Sequence, residues 1–213
     1  MIQPRRNPQQ SRSKVRVETI LDAARELIGE QGCDAISVRA IAAHADVPIS
    51  SIYQYFPDKN AIMRRLMEIY LEQFREVLKS DYESLHTSQE ALAALLKSGE
   101  RFFQFVAADP AFANIWAGVQ ASPILRLLDI QDSEANASFL TEQLTRFLPT
   151  ENRQELFGIM FFFANVVGDM ARLALYVDEP ARAMMIREVK ILLVMRLKHF
   201  FGDELDPEAL PFI

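Results

Sequence analysis

Between residues 37 and 59 the chain gathers side chains suited to holding a polyanion and reading base edges, rather than to making or breaking bonds. Ser37, Ser51, Tyr53 and Tyr55 are hydroxyl donors and Lys59 is a cation; near helix N-termini such groups suit phosphate oxygens. Gln54 can pair with adenine through two hydrogen bonds, Arg39 with guanine, and Ile49 can touch a thymine methyl. Spacing decides which of them face outward. Ile52 and Phe56 are four apart and mark the buried side of a very short helix, which turns Ile49, Ser50, Tyr53 and Gln54 away from the core. Pro48 precedes that helix and joins the same exposed end.

The elements that would position these residues are legible on either side. Ile20, Ala24, Leu27 and Ile28 share one face of a first helix, and Gly32 suits its end. Ser37 can cap a second helix whose buried side is Val38, Ile41 and Ala42. A break at Asp46-Val47-Pro48 precedes the third helix, and Asp58 can cap a long fourth one from about Lys59 to Asp81. Three short helices with an abrupt turn between the second and third suit a helix-turn-helix.

Downstream, the same grammar repeats at larger scale. Thr87-Ser88-Gln89-Glu90 is a capping box for a helix through Ala108. Asp109-Pro110 and Ser122-Pro123 each place a cap before a proline, opening helices to about Ala121 and Leu148. Thr150 can cap a helix from Glu151 to Val177, and Glu179-Pro180 begins a last one that stops at Gly202. No alternating strand pattern appears, so the fold class predicted is all-α with about nine helices. Three parts follow: a flexible basic arm over 1–14, a helix-turn-helix domain over 15–64, and a helical regulatory and dimerisation domain over 65–213.

Charge and composition narrow the function classes. The net charge is −6, yet residues 1–65 carry +3 and the remainder −9, with Arg5, Arg6, Arg12, Lys14 and Arg16 at the very start. A basic end on an acidic body places one end against a polyanion. Cys33 is the single cysteine, which excludes disulfides and suits a small apolar filler, and His44, His86 and His199 lack metal-ligand spacing. No Gly-rich phosphate loop, zinc-binding His pair or nucleophile elbow is present, so neither an enzyme, a metal site nor a cofactor is expected. No unbroken apolar run approaches the roughly 18 residues of a membrane span, and no signal peptide is seen, so a cytoplasmic protein is expected.

Ala23-Ala24-Arg25-Glu26-Leu27, Ser37-Val38-Arg39-Ala40-Ile41-Ala42, Ala45-Asp46-Val47 and Ile52-Tyr53-Gln54-Tyr55-Phe56-Pro57-Asp58-Lys59 together resemble the DNA-binding domain of the tetracycline-repressor (TetR) family. The resemblance covers about residues 16–64 in one register. It implies double-stranded operator DNA as partner, with contacts from Ser37, Arg39, Pro48, Ile49, Ser50, Ser51, Tyr53, Gln54, Tyr55 and Lys59. Two positions depart from the family pattern. Asp46 stands where the turn usually has glycine, a place that needs left-handed backbone, and Ile49 stands where a polar or basic residue is common.

The resemblance also implies a homodimer built on the last two helices and an effector cavity within the helical domain. Ile186, Val189, Leu193, Leu197 and Phe200 make one apolar stripe of the last helix, while Met185, Leu192 and Met195 extend the apolar surface toward a second subunit. Aromatic residues crowd residues 101–176 beyond what one core stripe requires. A pocket for a small apolar or aromatic effector is therefore expected near Phe103, Trp116, Gln120, Phe139, Phe162, Asn165 and Asp169. Asn165, Asp169, Arg172 and Tyr176 form a polar stripe that suits an Asp169–Arg172 pair at i,i+3, polar contacts across a dimer seam, or a polar anchor for ligand. Repression is the family's common mode, and a repressor released from a palindromic operator by a small apolar ligand is the function expected. The competing reading is a DNA-binding protein of the same type with no small-molecule effector, controlled by a protein partner.

Overall fold

The computed structural model describes residues 8–148 and 152–201, and among them every regular element is helical. In chain order these are α1 (Pro8–Ala35), α2 (Val38–His44), α3 (Ile49–Tyr53), α4 (Lys59–Tyr82), α5 (Ser88–Ala108), α6 (Pro110–Ala117), a 3-10 turn (Val119–Ala121), α7 (Pro123–Leu144), α8 (Arg153–Ala174) and α9 (Glu179–Phe201). The caps explain most of the starts. Ser37 accepts from the Ala40 amide at 3.1 Å, Asp58 from Ala61 at 2.8 Å and Asp109 from Ala111 at 2.8 Å. Thr87 and Glu90 close the capping box in both directions. Thr150 and Gly202, the expected start and stop signals of the last two helices, lie outside the described residues.

Several boundaries differ from expectation: α6 ends at Ala117 and hands over to the 3-10 turn, rather than running to about Ala121, α7 ends at Leu144 rather than about Leu148, and α8 at Ala174 rather than Val177. The arm predicted over 1–14 is helical from Pro8 onward. Proline fits the first helical position, and Gln, Arg and Lys extend an existing helix at little cost. The helix bends at Gly32, whose φ of 79° a side chain would resist.

The turn between α2 and α3 is held by the Ala45 and Val47 amides, which donate to Ile41 O at 2.9 Å and Ala42 O at 3.0 Å. Asp46 sits in it at φ 48°, the one non-glycine residue with positive φ among those described. An Asp46→Val variant, with a β-branched side chain there, is expected to lose about 1–2 kcal/mol, whereas Asp46→Gly is tolerated. Denaturant unfolding at unchanged m reads this directly, and an unaltered midpoint for the valine variant would remove the strain argument.

Two apolar clusters build the body. The first joins α1–α4 to α6, from Ile20, Ile28, Ile52 and Phe56 through Leu66 and Tyr70 to Phe112 and Trp116. The second, around Tyr82, Leu92, Leu144, Met160 and Leu197, fills the far end between α5, α7, α8 and α9. Helix α8 is long and apolar enough to cross a membrane by length and composition; polar interruptions such as Asn165 and Asp169 keep its apolar residues from forming one run, and it packs against α5, α7 and α9.

Candidate DNA-reading surface and internal cavity

The exposed end of the helix-turn-helix carries the residues expected there. Arg39, Pro48, Ser50 and Gln54 are exposed, as are Ile49 and Tyr53, while Ile52 and Phe56 are buried beneath them. Ser37 is exposed and spends its oxygen on the α2 cap. Ser51 and Tyr55 are half-buried, and the Tyr55 hydroxyl accepts from Ser13 Oγ at 3.3 Å, tying the start of α1 to the end of α3. His44 lies 2.7 Å from Glu26 and braces α2 against α1.

Lys59 behaves differently from the expected phosphate cation. Its ammonium turns inward and donates to Cys33 O at 2.9 Å and Ile36 O at 3.2 Å, where α1 ends and the chain turns into α2. Carbonyls left without partners at a helix C-terminus attract a cation, and this long side chain reaches them from the first turn of α4. Cys33 beside it is a filler: burial first, then Asp34, pushes its thiol up to about 11 against the pull of Lys59.

A cavity of about 100 Å³ lies where the two apolar clusters meet. Its walls come from α4, α5, α6, α7, α8 and α9, with Phe74, Phe102 and Phe103 from the first side and Leu96, Met160 and Phe163 from the second. Helix α7 explains the gap. It gives Leu125 to the first cluster and Ala137, Leu140 and Leu144 to the second, but between them its inward face is Asp129, Asp132, Ser133 and Asn136. That spacing is one helical stripe, so a polar strip interrupts the core.

Each acid on the strip has a partner from another element. Asp132 is paired with Arg75 of α4 and accepts from Asn136 Nδ2 at 2.7 Å. Asp129 accepts from Arg172 of α8 at 3.3 Å, and Arg172 also pairs with Asp169 and lies over the Trp116 ring at 5.1 Å. Burial nonetheless pushes both carboxyls above the usual aspartate range, against the pull of Arg172 on Asp129 and of Arg75 on Asp132. On the opposite wall Lys190 of α9 donates to Glu100 of α5 at 2.9 Å.

Of the pocket residues expected from sequence, Phe103 and Trp116 line this cavity, and the other five do not. Phe162 is 61% exposed on the outer face of α8, and Phe163 takes the inward position instead. Gln120 and Asp169 are exposed, 3.5 Å apart. Asn165 is half-buried and donates to Phe161 O at 2.7 Å. Phe139 packs edge-on against Tyr82 in the second cluster. Missed in the sequence were Asp129, Asp132, Ser133, Asn136, Glu100 and Lys190. The signal available was polarity at positions in phase with Leu125, Leu140 and Leu144 on α7.

Helix α6 links the cavity to the DNA-reading end. Trp116 donates to Gly168 O at 3.1 Å, and a Cβ at Gly168 would stand 3.3 Å from its ring, so a larger residue there would make the ring give by a few tenths of an ångström. Two residues earlier, on the other side of α6, Asn114 Nδ2 donates to Ile28 O of α1 at 2.8 Å.

Comparison with known proteins agrees with this geometry. Residues 20–66 match the family described as bacterial regulatory proteins, tetR family, and residues 88–201 match the tetracyclin repressor-like C-terminal domain. The HTH-type transcriptional regulator BetI of Escherichia coli (strain K12) is 28% identical over 151 residues, covering 70% of this chain and 77% of BetI. A TetR-family transcriptional regulator from Streptomyces coelicolor has TM-score 0.66 at 25% identity, over 86% of this chain and 98% of its own. SmeT, the repressor of the Stenotrophomonas maltophilia multidrug efflux pump SmeDEF, shares the fold with TM-score 0.65 at 17% identity, over 92% and 95% of the two chains. The chain therefore belongs to the tetR family of bacterial regulatory proteins and is a DNA-binding transcriptional regulator, not an enzyme.

Proposed function

We propose that this chain is a homodimeric cytoplasmic repressor that holds a palindromic operator and is released when a small, largely apolar ligand enters the cavity. The observation that carries the proposal is the place of α6, with Trp116 on the cavity wall and Asn114 on α1. A ligand shifts DNA affinity only through different affinities for the two arrangements of the recognition helices. A coupling of about 1–3 kcal/mol changes operator affinity roughly 5–150-fold, and operator DNA weakens the ligand by the same factor. Control by a protein partner is the alternative, and the cavity of about 100 Å³ is the observation that favours a small ligand over it.

Dimerisation supplies the second half-site. On α8 Phe162 and Leu173, and just beyond it Tyr176, are 61%, 46% and 75% exposed, and on α9 Met184, Leu192 and Met195 are 61%, 55% and 69% exposed. The inner stripe of α9 meanwhile buries Leu193, Val194 and Leu197. An apolar face of this size on two adjacent helices fits an isologous interface that places two copies of α3 on successive major grooves.

The test begins with selection of bound sites from random duplex DNA. Gln54→Ala or Arg39→Ala is expected to relax preference at one position per half-site, costing on the order of 1–3 kcal/mol on the best site. Lys59→Ala is expected to weaken all sequences alike while leaving the salt slope unchanged, because its ammonium holds the α1–α2 junction. A slope lowered by about 0.9 would instead return Lys59 to a phosphate. Uniform weakening by Gln54→Ala would remove its reading role.

A further inference from the structure

The acceptor groups of the cavity specify a ligand chemistry more closely than its apolar walls do. Asn136 Oδ1 is buried with no hydrogen-bond partner among the described residues. Its orientation is set by its own amide, since Nδ2 donates to Asp132 and a flipped side chain would set two oxygens against each other. An orphaned acceptor of this kind costs free energy until a donor reaches it. Beside it on α7 stand Asp129 and Asp132, whose cationic partners Arg75 and Arg172 do not line the cavity. Among the described lining residues the one cation, Lys190, is paired with Glu100 beside it. The α7 wall is thus rich in acceptors, and burial leaves both aspartates under-compensated.

We propose that the cavity takes a protonated amine on a small apolar body, its N–H groups donating to Asn136 Oδ1 and the Asp129 and Asp132 carboxylates, with the body against Phe103, Trp116 and Phe163. Aromatic faces favour a cation, and hydrogen bonds from a charged donor are the strong ones. The volume, about 100 Å³, is below that of the ~150 Å³ engineered cavity that admits benzene, so the walls must give as a one-ring amine enters. The proposal rests on the reading of this cavity as the effector site.

Trp116 is the only tryptophan of the chain and lies in the cavity wall, so its fluorescence reports occupancy. The full-length protein is titrated at neutral pH with 2-phenylethylamine, 2-phenylethanol, phenyltrimethylammonium and 3-phenylpropionate, by fluorescence and calorimetry. The amine is expected to change Trp116 emission at one molecule per chain and to bind at least tenfold tighter than the alcohol or the quaternary ion, with the propionate weakest. Asp132→Asn and Asn136→Leu are each expected to cut the amine-over-alcohol preference about tenfold. The wild-type series stands alone if either variant fails to fold. Tightest binding by the propionate, equal binding of amine and alcohol, or no binding by any probe overturns the proposal. Tight amine binding with unchanged operator affinity supports the amine site and overturns instead its role as effector site.

Discussion

Replacing Leu192 and Met195 together by glutamate is expected to convert the protein to a monomer at micromolar concentration and to weaken full-operator binding by two or more orders of magnitude. Both side chains are more than half exposed on α9, so the substitution leaves the protomer's own core untouched. In the proposed dimer the same positions would face their symmetry mates, and glutamates there would bring like charges together in an apolar seam. Two linked half-sites gain 10²- to 10⁴-fold over one without any new contact, and that gain is what the monomer forfeits. Binding to a single half-site should change little. Helix α7 offers the control, because Ile124 and Leu127 are also exposed, at 45% and 57%. Leu127→Glu is expected to leave both the sedimentation coefficient and operator affinity as they were. Dissociation by the α7 variant and persistence of the α9 variant as a dimer would move the interface to α7.

The parts of the molecule that were readable in advance are those specified by neighbours in sequence. A threonine with glutamate three residues on, a cap before a proline and an Asp in a tight turn act within one turn of backbone, and Thr87, Asp109, Ser122 and Asp46 all do what their local chemistry requires. The exposure pattern of the helix-turn-helix shares this property, since the burial of Ile52 and Phe56 decides which side of α3 faces outward. The cavity does not. Three consecutive phenylalanines, Phe161 to Phe163, point about 100° apart around α8, and only its packing against α5 and α7 decides that Phe163 is the inward one. Asp129 and Asp132 look like solvated helix positions until Arg172 and Arg75, 43 and 57 residues away, come beside them. Lys59 likewise reads as a free cation until the end of α1 arrives at its ammonium.

The ion pair between α7 and α8 carries the largest expected stability effect. Arg172 and Asp129 have side chains only 10% and 11% exposed, and the guanidinium also lies over Trp116. Arg172→Met keeps most of the packing volume but strands the Asp129 carboxylate in the core. Breaking a buried pair from one side in this way costs about 3–5 kcal/mol, far more than the pair contributes against an apolar replacement. Removing both charges, as Arg172→Met with Asp129→Leu, is therefore expected to restore most of the loss. The pH dependence separates this cause from lost packing. Burial already raises the Asp129 carboxyl, and without Arg172 it rises further, so the folded variant binds a proton that the unfolded chain releases. A folded-state pKa above the unfolded one gives stability that is present at low pH and fades as pH rises through it. The single variant should consequently recover toward wild type between pH 7 and pH 5, and the double variant should show no such recovery. Denaturant unfolding at the two pH values distinguishes the cases. An equal deficit for the single variant at both would assign the loss to the contact with Trp116 rather than to the stranded charge.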